Sequence, residues 1–368
     1  MPDKAALTDS MSPSTDIPSR RMIRSWLTPL AGRSTGRALF LIAIDLALYA
    51  TGIAAIVLAP RAWMQVLAAV GTGLVIGRLF ILGHDACHQS LTPHRTLNRW
   101  LGRLVFLPSL TPYSLWEVGH NVVHHGYTNL RGFDFVWQPC SVEEFRALSP
   151  KRRVLERLYR SGWAPWLYYL VEIWWTRLLF PSHRTMPTRR AVFVWDGLLA
   201  SAFGVAWIAG LVFAAHATGQ SVLWLEAVGF ALPFVFWNGL IGFVVYVHHT
   251  HPGVDWHQDK AAWSASQPFV STTVHLTFRS AFGSVLHHIM EHTAHHVDMS
   301  IPLYRLKAAQ ALLEKRLAGH IVVQSFSWRW YADTARRCKL YDFDAGRWLD
   351  FAGRPTQRVT RHSPSVTQ

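Results

Sequence analysis

Charge is scarce in this chain of 368 residues: Asp, Glu, Lys and Arg make up 16% of it, where a soluble protein carries about a quarter. Cysteine is scarcer still. Cys87, Cys140 and Cys338 stand far apart with no Cys-x-x-Cys pair, which excludes a disulfide framework and a cysteine zinc site. Cys87 falls inside a histidine-bearing stretch and suggests a reducing compartment, while the thiol itself reads as a small buried filler. A secretory leader is not expected, because the first long apolar stretch begins only after Arg37 and is too long for a leader's apolar core. Residues 1–35 mix Ser, Thr, Pro and Arg with little apolar periodicity and read as a disordered basic segment.

What is present points to lipid. Half the residues are apolar, and there are eighteen tryptophans. Four apolar runs, about 38–59, 63–82, 191–215 and 222–247, are each about long enough to cross ~30 Å of hydrocarbon as a helix. Only Pro60, Arg61 and Ala62 separate the first two. The fold class that follows is an all-α integral membrane protein: four transmembrane helices as two hairpins within a domain over 36–353, plus a helical cap and a polar tail over 354–368. Arg20, Arg21, Arg24, Arg33 and Arg37 precede the first run and place that end in the cytosol. Both termini and the cap are then cytosolic. The net charge of +14 fits an anionic membrane face or an acidic protein, not nucleic acid.

Between the hairpins, Leu101 to Trp116 is broken by Pro108 and Pro112 and reads as re-entrant or interfacial. The run WAPWLYYLVEIWWTRLLFP, flanked by basic residues, suits the interface plane. Leu303 to Leu317 reads as a helix. Asp45 and Arg78 are isolated charges within the first two runs; Arg78 is near enough to the cytosolic end to snorkel.

Thirteen of the twenty histidines fall in four short windows: HDACHQS from His84, HNVVHH from His120, HHTH from His248, and HHIMEHTAHH from His287. One buried histidine is an ordinary polar group, but four clusters outside the apolar runs are not. If the last window is helical, His288, His292 and His296 repeat every four residues on one face with His295 beside them. The spacings His-x3-His, His-x3-His-His and His-x2-His-His gather eight imidazoles from three segments, which exceeds one metal's needs and implies two. Neutral imidazole suits iron, copper or zinc. Glu117 and His120 have the Glu-x-x-His spacing of carboxylate-rich bundles, yet no second such pair accompanies the other windows.

These windows, in this order, resemble the histidine boxes of the membrane fatty-acid desaturase family. HDACHQS is similar to its first box, GHNVVHHGYTN to its second, YVHHTHP to the segment after its last span and HHIMEHTAHH to its third, over roughly His84 to Pro302. The resemblance implies a non-haem di-iron centre that uses O2 to desaturate a fatty acyl chain, with His84, His88, His120, His124, His125, His292, His295 and His296 as ligands. A further ligand would be His249 or, competing with it, His288. Hydroxylase or acetylenase chemistry on the same centre stays open, as does a metal-transport protein. A transporter would carry its ligands inside the spans, and none of the four runs contains His.

Asp85, Asn121, Asn129, Asp134, Glu291 and Asp298 flank the boxes and are candidates to receive ring N–H groups. His275, in VHLTF, is placed near the substrate. HPGV at His251 resembles the haem motif of a fused cytochrome domain, but the chain runs on to the third box without room for one. Electrons are therefore expected from a separate ferredoxin-like or b-type cytochrome donor. That donor, or an acyl carrier, would dock on Lys151, Arg152, Arg153, Arg157 and Arg160. The acyl substrate would be linked to lipid, coenzyme A or acyl carrier protein, and the bilayer is the remaining partner.

Overall fold

The structure is a computed structural model and describes residues 17–356. Four helices among the described residues are long and apolar enough to cross a membrane: α2 Thr35–Leu58, α3 Ala62–Cys87, α7 Ala191–Thr218 and α8 Val222–His249. Over their most apolar windows α3 and α8 are 56% and 44% buried, but α2 and α7 only 17% and 28%. The first pair therefore forms the packed centre and the second carries apolar residues outward, among them Phe40, Leu58, Trp195 and Phe213. α3 and α8 approach closely because α3 offers glycines at the contact. A Cβ on Gly73 would lie 2.9 Å from the Pro233 carbonyl oxygen, and one on Gly77 would lie 2.7 Å from Leu240. Small residues at i and i+4 are how apolar helices come together without a water-driven force.

The helices run further than the apolar composition implies. α3 continues past Leu82 and carries His84, α8 ends on His248 and His249, and α7 includes His216. Apolar runs mark where lipid contact ends, whereas backbone hydrogen bonding goes on until a residue interrupts it.

The N-terminal segment differs from the expectation over its described part. Residues 17–35 are ordered, with α1 Arg20–Leu27 burying Ile23 and Leu27. Arg20 donates to the carbonyls of His296 (2.8 Å) and Val297 (3.1 Å), so α1 is tied to the last histidine box. Residues 1–16 and 357–368 lie outside the described residues. Pro355 and Thr356, placed in the polar tail by composition, pair with the strand at Trp348 and Leu349.

α4 Arg95–Phe106 and α5 Tyr113–Glu117 fill the interrupted stretch and lead into a π-helical segment, Val118–His124. α6 Pro150–Tyr159 follows, and a second π-helical segment, Tyr169–Leu179, forms most of the aromatic run. Arg160 is not a surface residue. It is buried, ion-paired with Glu156 at 3.2 Å, and donates to the carbonyls of Trp137 and Gln138, so it holds the fold rather than a partner.

Past α8 the chain is not purely helical. β1 Val274–Thr277 pairs in parallel with β2 Val322–Ser325, and β3 Leu340–Asp342 pairs antiparallel with β4 Arg347–Leu349. Between them lie α9 His292–Val297, α10 Leu303–Arg316 and α11 Trp328–Arg337. The expected helix at 303–317 is present. β1 and β2, at four residues each, are too short to give a periodic signal.

Candidate metal centre

Nine imidazoles gather where α3, the Val118–His124 segment, α8 and α9 meet. His84, His88, His120, His125 and His295 form one group, and His124, His249, His292 and His296 form another. Within each group the ligand-capable atoms lie within 4.8 Å of one another.

The boxes are divided between the groups by backbone geometry. An α-helix aligns residues three or four apart, yet here His120 and His125, five apart, bring their Nε2 atoms to 3.0 Å. The π-helical turn between them, closed by the His125 N–H on the His120 carbonyl, makes i and i+5 neighbours and turns His124 to the other group. On α9 ordinary helical spacing does the same work. His292 and His296, four apart, face one group with Nε2 atoms 3.0 Å apart. His295 faces the other, 3.0 Å from His125.

The ring nitrogens fit a cation. Inward Nε2 atoms stand 3.4 Å apart for His84 and His88, 3.1 Å for His84 and His120, and 2.9 Å for His249 and His292. Nitrogens about 2.0–2.1 Å from a shared centre stand roughly 2.8–3.4 Å apart at angles from octahedral to tetrahedral. The outward nitrogens set the tautomer for several rings. His124 Nδ1–H donates to both oxygens of Asp134 at 3.1 Å, and His249 Nδ1 lies 3.3 Å from the Thr272 carbonyl. His296 Nδ1 lies 3.3 Å from the Thr128 hydroxyl. With Nδ1 donating outward, the lone pair on Nε2 points inward, as metal ligation requires. Burial first, and then the neighbouring imidazoles, hold His88, His120, His125, His292, His295 and His296 well below the ordinary histidine pKa. Neutral rings are the ligating form.

Several sequence expectations are corrected here. His288 joins neither group. Residues before His292 form a turn rather than a helix, His287 and His288 have φ of +49° and +61°, and His288 Nδ1 pairs with Glu291 at 2.9 Å. Of the flanking polar residues, Asp134 alone bonds a grouped histidine, and Asp85 stands 3.7 Å from His84 Nδ1 while capping α10 at Leu303. Asp298 pairs with Arg24, Asn121 donates to the Cys87 carbonyl, and Asn129 to that of Asp255. His275 pairs with Glu314 and joins neither group. Sequence reasoning missed the Thr272 carbonyl, which any residue type would supply, and Thr128. It also missed two stacking partners, Trp116 on His120 at 4.1 Å and His248 on His292 at 3.8 Å between ring centres.

Beside both groups lies a largely apolar cavity. Phe80, Ile81, Ile173, Ile241 and Val245 line it together with His84, His120, His124, His249 and His292. Its walls are apolar apart from the imidazoles, the composition of a site for an apolar ligand.

Membrane-length helices thus meet a centre whose two histidine groups could each hold a metal ion, beside an apolar cavity. The family is shown by comparison: a family model described as fatty acid desaturase matches residues 61–328, and the chain belongs to that family of oxidoreductases. An omega-6 fatty acid desaturase, chloroplastic, of Brassica napus is 27% identical over 81% of this chain and 65% of its own length. One of Spinacia oleracea is 27% identical over 91% and 72%. The sn-1 oleoyl-lipid 12-desaturase of Synechocystis sp. is 27% identical over 75% and 76%.

Proposed function

We propose that the chain is an O2-dependent fatty acyl desaturase with a di-iron centre, held by His84, His88, His120, His125 and His295 on one side and His124, His249, His292 and His296 on the other. The observation that carries this reading is the division of nine imidazoles into two groups beside an apolar cavity. When bound, an iron pair supplies O2 activation and hydrogen abstraction from an unactivated methylene. The protein's own work is positional. Asp134, Thr128 and the Thr272 carbonyl orient rings, the cavity walls hold the acyl chain against the histidines, and burial keeps bulk water away.

The relatives named for oleoyl-lipid and omega-6 desaturation support a lipid-linked acyl substrate. The four long helices are proposed to span the bilayer as two hairpins, with the termini, histidine centre and cap cytosolic. The arginines before α2 and the placement of every grouped histidine at one end of α3 and α8 support this orientation. Two electrons per turnover would come from a separate redox protein, and nucleic acid has no part.

Expression in a host lacking the activity, followed by mass spectrometry of fatty-acid methyl esters, tests the reaction. A new double bond is expected. Metal analysis of purified protein should give about two irons per chain, and an active zinc-only or one-iron protein overturns the di-iron reading.

A further inference from the structure

A carboxylate lies fully buried inside the first apolar helix. Asp45 on α2 accepts at Oδ1 from Nε and Nη2 of Arg78 on α3, at 2.9 and 2.7 Å. Its Oδ2 lies 2.7 Å from Nε2 of His287. The remaining Arg78 Nη1 donates to the Val285 carbonyl. One ion pair from two membrane-length helices therefore grips the turn before α9 at two points, Val285 and His287.

An ion pair buried between apolar helices is costly, and packed apolar side chains would join the same helices without that desolvation. Snorkelling does not account for it, since Arg78 turns inward to Asp45. The turn it holds is itself strained: His287 and His288 are consecutive non-glycine residues in the left-handed region, a conformation that persists only where the surroundings impose it. This turn sets where α9 starts, and α9 starts on His292.

We infer that Asp45, Arg78 and His287 form a positioning clamp that sets the turn delivering His292 and His296 to the metal centre. The inference rests on reading the nine histidines as a metal site. His287 is engaged by Asp45 and takes no part as a ligand. The two groups depend on the clamp unequally. α9 supplies two of the four histidines in the His124 group but one of the five in the His84 group, so a loosened turn weakens the four-histidine group first.

The test uses purified, iron-loaded full-length protein in four variants: Asp45→Asn, His287→Ala, His287→Gln and Gln65→Leu. Gln65 is a structural control. It is buried in another polar network, bonded to the Ile56 carbonyl and to Gln220 and Trp224, with no link to the histidines. Asp45→Asn and His287→Ala should retain roughly half the wild-type iron and lose one component of the Mössbauer spectrum. His287→Gln, whose amide can still donate to Asp45, should restore both. Gln65→Leu should lower the melting temperature and leave iron content and spectrum intact. The clamp is overturned if Asp45→Asn and His287→Ala keep wild-type iron and spectrum, or if Gln65→Leu loses iron in step with stability. A wild-type protein that does not load two irons overturns the metal reading, and the clamp with it.

Discussion

Asp134 accepts the Nδ1–H of His124 on both carboxylate oxygens at 3.1 Å, and its Oδ2 also accepts the Asn129 backbone N–H at 3.0 Å. One carboxylate thus fixes the tautomer of His124 and the turn that ends the second box. Asp134→Asn leaves the shape but sets an NH2 group against one of two backbone N–H donors, Asn129 or Val136, that the carboxylate oxygens accept from, and so disturbs the acceptor offered to His124. Iron affinity should fall about 10–100-fold, measured by chelator competition. Asp298→Asn, an equal candidate by sequence, should change affinity little, since Asp298 faces Arg24 and the Ser300 N–H.

His249 and His288 compete by sequence for the ninth ligand place, and of the two only His249 lies in a histidine group. His249→Ala removes an imidazole 2.9 Å from His292, and iron content and turnover should both collapse. His288→Ala should retain full iron content and most of its turnover. Metal analysis beside methyl-ester assays decides between them, and equal loss in both variants would reject the two-group assignment.

If a redox protein docks on the basic face of α6, Arg160 takes no part, because it is buried. Lys151, Arg153 and Arg157 are exposed on α6, Arg157 lying also over the rings of Phe145 and Phe351, while Arg152 pairs with Glu172. Lys151→Glu with Arg153→Glu should lower turnover with a protein electron donor and weaken its salt dependence. Iron content should not change. Arg160→Glu should instead fail to accumulate as folded protein, because reversing one partner of a buried pair costs about 3–5 kcal/mol or more.

Lys339 provides a pH-dependent test of the packing beneath that surface. Burial, and next the neighbouring Arg160 charge, lower its pKa from 10.5 to about 8. Below pH 8 the folded and unfolded states both hold the proton, and the folded state bears the whole burial penalty. Between 8 and 10.5 the unfolded chain binds more protons, so this group makes stability rise with pH. Lys339→Met should flatten that rise in thermal unfolding scans, and an unchanged slope would contradict the burial of the charge.

The sequence by itself determined the helices that bury themselves by composition and the residue types of the centre. Apolar runs long enough for lipid are legible because hydrophobicity is local, and thirteen clustered histidines state their chemistry before any fold is known. The order at residues 17–35 was not legible, since Arg20 finds its acceptors on His296 and Val297, far along the chain. Nor were the two small sheets, whose strands are too short to show a period.

Tertiary structure alone decided which histidine belongs to which group. His120 and His125 meet because the backbone takes a π turn, which side-chain spacing along the chain does not reveal. His288, in step with His292 on paper, leaves the centre because the turn before α9 is held left-handed by contacts to Asp45 and Arg78. Spacing along a chain fixes a face only while the helix lasts, and the end of a helix is set by what packs against it.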